Sequence, residues 1–207
     1  MSCATPRRHL APAADLTAEP PHAPGDHGQA LVEFAFVLLP LLLVLVGIIQ
    51  FGLLFGANVT LTNAAREGAR AGTIHVYDRN HDKEWNDAAR CGAIVEAATD
   101  AFGMLATSAP HFTVTLSGDA CPTPVGDTQT NGDLKISYCA SMGEPNGPCP
   151  DAGDSATTCV PDTREGCLLR VELVYHSDII VPLVNTFLST DGNGRFAQRV
   201  TATMVVN

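Results

Sequence analysis

From Phe34 to Ala57 the chain carries a run of 24 residues whose only polar side chain is Gln50. A helix of that length, at ~1.5 Å per residue, reaches ~36 Å and can cross a ~30 Å hydrocarbon layer with some tilt. The core helix of a soluble domain rarely stays so apolar for so long without one charge. A cleaved secretory signal fits no better, because its apolar core is only ~7 to 15 residues and a small-x-small cleavage site should follow closely. Phe55, three positions from the end of that run, spoils such a site before Asn58. The run predicts a membrane span that stays in the protein.

The flanks are organised around that span. Residues 1–28 contain Pro6, Pro12, Pro20, Pro21 and Pro24 and almost no branched aliphatic side chain, which predicts a disordered leader. After the span, Asn58 to Gly72 holds no breaker until Gly72, so the helix should project out of the bilayer. A second helix is expected from about Lys83 to Ala106, where Trp85, Ala88, Cys91, Val95, Ala98, Phe102 and Leu105 recur at helical spacing. Such a stripe needs a sheet to cover. Strands are expected at about His111–Leu116, Leu134–Cys139, Leu168–His176 and Phe196–Val206, and the alternation of Val171, Leu173 and Tyr175 with Arg170, Glu172 and His176 suggests antiparallel pairing. Cys121 to Gly166, crowded with Pro, Gly, Asp and Thr, reads as extended loops. The expected fold is α+β, with a leader at 1–28, a membrane helix at 29–57 and an extracytoplasmic domain at 58–207.

Twelve Lys plus Arg against 22 Asp plus Glu give a net charge of -10, and no basic patch is gathered anywhere, which argues against nucleic acid as a partner. Cys91, Cys121, Cys139, Cys149, Cys159 and Cys167 all follow the span, and only Cys3 precedes it. No CxxC pair is present, so disulfides suit the spacing better than zinc, with fifteen connectivities open. Disulfides persist outside the cytoplasm. The positive-inside rule points the other way, since Arg66 and Arg70 follow the span while the twenty residues before Phe34 hold no Lys or Arg. The cysteines weigh more, because the basic count is small and Arg7 and Arg8 still bias the leader inward.

At the end of the leader stands Gly28-Gln29-Ala30-Leu31-Val32-Glu33-Phe34. A Gly and an acid at the fifth position after it abut the apolar run, and this looks like a type IV prepilin processing site. The resemblance implies cleavage between Gly28 and Gln29 by a membrane prepilin peptidase, with Glu33 and Phe34 serving processing and assembly. A carboxylate at the bilayer centre costs ~2.5 to 3.5 kcal/mol, less near an interface, so Glu33 needs a cationic partner. The amine freed on Gln29 is a natural one. More widely, GQALVEFAFVLLPLLLVLVGIIQFG followed by NAAREGARAG resembles the N-terminal signature of the TadE-like family. That resemblance implies a pseudopilin of the tight-adherence (Flp) pilus system, held in the inner membrane by one span with its N-terminus cytoplasmic. Its partners would be the prepilin peptidase and other pilins and pseudopilins.

Other features carry less. Pro40 removes a backbone donor from the span and predicts a local kink. Gly52 and Gly56 form a GxxxG pair suited to close helix contact, and Ala64, Ala65, Gly68 and Ala69 extend a small-residue surface outward, toward a neighbouring helix or the protein's own sheet. His75, Asp78, His81, Asp82 and Glu84 read as a solvated connector rather than a metal site. His176, Ser177 and Asp178 are adjacent in sequence, whereas a hydrolytic triad converges from separate elements. Asp191 to Gly194 reads as a hairpin turn. No enzymatic activity, cofactor or small-molecule substrate is expected. The competing reading is a permanently anchored adhesin or ligand-binding module whose Cys121–Cys167 loops form the binding region.

Overall fold

The computed structural model describes residues 26–114, 125–141, 159–180 and 192–207. These form two helices, α1 (Asp26–Ile74) and α2 (Lys83–Asp100), and four strands, β1 (Thr128–Asn131), β2 (Leu134–Cys139), β3 (Leu168–Asp178) and β4 (Arg195–Val205). The chain divides into two compact units, the first ending at Leu43 and the second beginning at Val44.

In the first unit, α1 presents Leu31, Phe34, Phe36, Val37, Leu39, Leu41 and Leu42 outward. Apolar surface on this scale marks a membrane or protein contact rather than a water-facing helix. The helix runs on through Pro40 without interruption.

In the second unit, α1 buries a stripe of Leu54, Ala57, Leu61, Ala64, Ala65, Ala69 and Gly72 at spacings of three and four. The small residues allow close approach. A Cβ on Gly68 would lie 3.0 Å from the Ala98 Cβ and 3.2 Å from the Ile94 carbonyl oxygen, and one on Gly72 would overlap Leu169 and come within 2.7 Å of the Ile94 Cδ1. The small-residue surface after the apolar run therefore packs against the protein's own α2 and sheet.

The strands form an antiparallel meander in the order β1-β2-β3-β4. β3 alternates cleanly, with Leu169, Val171, Leu173 and Tyr175 buried beneath the helices and Glu172 on the other face between Lys135 and Arg199. The β1–β2 turn is Gly132-Asp133, with Gly132 at φ 69° and its Cα packed on the Thr113 carbonyl, where a side chain would clash.

The α+β expectation holds, with local differences. α2 stops at Asp100 because Ala101 caps it and Gly103 turns to φ 60°. Its first turns bury Asn86, Asp87 and Arg90 while Trp85 stays 46% exposed, so the expected stripe holds only from Cys91 onward. Residues 111–114 are not a strand, although they are tied to the sheet by single bonds from His176 N–H to the His111 carbonyl and from Asp133 N–H to the Thr113 carbonyl. β1 lies inside the segment expected to be loop. Cys159 and Cys167 are bridged, and Cys91 and Cys139 are also disulfide-bonded. Cys121, Cys149, Asp191 and most of the expected leader lie outside the described residues.

Candidate functional site

Gly28, Gln29, Glu33 and Phe34 all lie on an exposed helical stretch of α1, and a Cβ on Gly28 would meet nothing within 4 Å. The Gln29 Nε2 donates to the Glu33 Oε1 at 3.1 Å, one helical turn away. A neutral amide donor satisfies one lone pair of a carboxylate and leaves its charge uncompensated. Glu33 thus retains the capacity to pair with a cation. Gly52 and Gly56 are likewise open, with nothing within 4 Å of a Cβ on either, beside the exposed Phe51, Phe55 and Val59.

Gln50 is the first buried residue of α1, at 2% exposure. Its Nε2 donates to the Asp178 carbonyl at 3.2 Å, and its Oε1 accepts from the Ile180 N–H at 2.7 Å. One turn on, the Leu54 carbonyl accepts from the Gln198 Nε2 at 2.8 Å, and the Ser177 hydroxyl donates to the Gln198 Oε1 at 3.3 Å. These amides fasten the helix to the end of β3. The lone polar side chain in the apolar run was visible in the sequence, but its role as a clamp was not, because its partners are backbone groups 128 and 130 residues away. Leu54 and Ala57, within the apolar run, belong to the core.

β3 and α1 run in opposite directions. Asp178 meets Gln50 at one end, and Leu169 reaches Gly72 at the other. The intervening helix, ~33 Å at ~1.5 Å per residue, matches the ~30 Å of nine extended residues. α2 is also antiparallel to α1, with Ile94 against Gly72 and Leu105 beside Leu54.

The far end of the domain holds a buried charge cluster. Arg164 grips Asp87 with two bonds, Nε to Oδ1 at 3.2 Å and Nη2 to Oδ2 at 2.7 Å, and its guanidinium lies 4.5 Å from the centre of the Tyr138 ring. Arg90 donates to the Thr163 carbonyl at 3.3 Å and stands 3.9 Å from Asp87. Arg164 sits at φ 65°, inside the short loop that the Cys159–Cys167 bridge closes. Burial raises the Tyr138 phenol pKa. Beside this cluster, His75, Tyr77, Arg79, Arg90 and Glu165 line an open cleft of about 560 Å³, and burial, helped by Arg90, lowers the His75 pKa below 6.5.

The remaining candidates have structural tasks. Asp82 caps α2 by accepting the Trp85 N–H at 2.9 Å, and Asp78 bonds His81 and the Asn80 backbone, the latter bond being the largest cause of its lowered pKa. Ser177 points into the domain while His176, on the opposite strand face, pairs with Asp133 at 3.4 Å. Among the described residues, no group of three or more His, Cys, Asp or Glu converges as a metal site would require.

Residues 28–70 match the family model of the TadE-like proteins, the same stretch in which the exposed Gly28–Phe34 segment and the clamped helix lie. The match associates the chain with the Tad pilus apparatus. No curated protein and no solved structure matches the chain.

Proposed function

We propose that the protein is a non-enzymatic, minor pseudopilin-like component in assembly of tight-adherence pili. The observation that carries this reading is the TadE-like segment itself, in which Gly28 to Phe34 stand exposed at the start of an apolar helix, with no cation paired to Glu33 among the described residues. A prepilin peptidase acting on the cytoplasmic side cuts between Gly28 and Gln29. The expected 29–57 membrane helix shortens to Gln29–Ile49, because Gln50 is the first residue of α1 buried in the second unit; these residues reach ~32 Å as a helix, close to the ~30 Å hydrocarbon thickness. The C-terminal domain is extracytoplasmic, which agrees with its disulfides.

In this reading the peptidase converts a neutral N-terminal flank into one bearing an ammonium at Gln29. The cost of holding the Glu33 carboxylate in the membrane, ~2.5 to 3.5 kcal/mol at its centre, falls when it pairs with such an amine on a neighbouring pilin or pseudopilin. The pair sets the register in which two apolar helices dock. Glu33→Ala or Glu33→Val is expected to leave membrane insertion intact and to impair piliation. Normal pilus number in such a strain, with the variant at wild-type abundance, contradicts the assembly role.

A further inference from the structure

Where α1 enters the globular domain, the surface around it is apolar on more than one element. Phe51, Leu53 and Phe55 are exposed on the helix. Met104, on the turn that follows α2 and just after Gly103 at φ 60°, is 103% exposed. Ile180, held by its backbone N–H to Gln50, is 59% exposed. Met104, Leu105, Leu53, Leu54 and Ile180 line one open cleft of about 420 Å³ with Gln50. At the same end, Asp178 is flanked by Arg195 at 3.2 Å and His111 at 3.6 Å.

We infer that this end of the domain is a lipid-contacting surface, with the Met104 turn and Ile180 seated in the interfacial layer of the phospholipid bilayer. The inference rests on the membrane-span reading. The occupant follows from continuity and length. If Gln29 to Ile49 fill the hydrocarbon layer, Gln50 lies at its boundary, because the helix spends ~1.5 Å per residue and the layer is ~30 Å thick. Ile180 is bonded to Gln50 and Met104 shares its cleft, so both lie at headgroup depth and not out in solvent. The chemistry suits that layer: exposed apolar side chains reach toward the acyl chains while Arg195, Asp178 and His111 sit among phosphates and ammonium groups. Contact at Met104 and Ile180, on two separate segments of the chain, would limit how far the domain can tilt about the helix and so fix the face it turns to its neighbours.

The protein's single Trp makes the test direct, because Trp85 lies in the first turn of α2, ~23 Å along the helix from Asp100 and toward the far end of the domain. The full-length chain is placed in phosphatidylcholine nanodiscs, with and without lipid brominated high or deep on the acyl chain, and Trp fluorescence is compared. In a Trp85→Phe background, Met104→Trp and Ile180→Trp are expected to lose about two-fold in intensity to the high bromines, as side chains ~5 to 10 Å into the headgroup and acyl boundary should. Native Trp85 should be unaffected. Leu39→Trp, at mid-span, should be quenched by the deep bromines. Quenching at position 39 with none at 104 and 180 overturns the lipid contact and leaves the span standing. A blue-shifted but unquenched Trp at 104 overturns it in favour of a protein neighbour. Absence of quenching at 39 removes the span, and the lipid contact with it.

Discussion

Replacing Gln50 by Leu is the sharpest perturbation of the architecture, because it makes the apolar run uniformly apolar while removing the amide that fastens α1 to the end of β3. Two bonds vanish, from Gln50 to the Asp178 carbonyl and from the Ile180 N–H to Gln50. Each backbone group left without a partner in a partly buried site costs ~1 to 3 kcal/mol, and the lower half of that range applies where water can reach. Leu recovers part of this by burying its own side chain, so the net loss should be ~1 to 3 kcal/mol. That is a large share of the ~5 to 15 kcal/mol that holds a domain together. Urea titration of the full chain in detergent micelles, followed by Trp85 fluorescence, reads it as a lower midpoint at unchanged slope. Gly52→Ala serves as the control, since its Cβ meets nothing within 4 Å, and should be neutral or slightly stabilising. A midpoint for Gln50→Leu equal to wild type would refute the clamp.

Two further outcomes follow from the far end of the domain. Arg164→Met should cost about 3 kcal/mol by leaving the buried Asp87 only the longer contact to Arg90, and Asp87→Leu combined with Arg164→Met should cost less than the sum of the two single changes, a comparison that thermal melts of the three chains supply. His75 titrates below 6.5 in the fold, so as pH falls through 6.5 the unfolded chain takes up the proton first and stability declines; above that range His75 contributes no pH dependence. Denaturation midpoints at pH 7 and pH 5.5 should differ less in His75→Gln than in the wild type, and equal differences would contradict the assignment.

The sequence makes the apolar helix, its outward continuation and three of the four strands legible because each carries a strong periodic pattern. β3 is the clearest case, since Leu169 to Tyr175 alternate without a break. β1 escapes because Thr128 to Asn131 contain no apolar residue and lie in a Gly- and Pro-rich stretch, although Asn131-Gly132-Asp133 is itself a hairpin signal. The opening turns of α2 mislead for the opposite reason. Trp85 continues the apolar stripe yet is half exposed, because this end of the helix faces the charged Arg164 loop, for which Asp87 and Arg90 are the complementary residues. Pattern alone carries no information about an ion pair spanning 77 residues. Gln50 lies between these cases, conspicuous as the sole amide of an apolar run but uninterpretable until its distant backbone partners are known. The likeness to the TadE-like proteins was legible from Gly28 onward because it resides in local spacing beside the apolar run, with no tertiary contact required.

Intact mass and N-terminal sequencing of the membrane-extracted protein, from cells with and without the prepilin peptidase, test the central claim most directly. The account predicts a chain beginning at Gln29 when the peptidase is present and a chain retaining its leader when it is absent. A leader retained in both strains would contradict pseudopilin maturation and favour a permanently anchored surface protein.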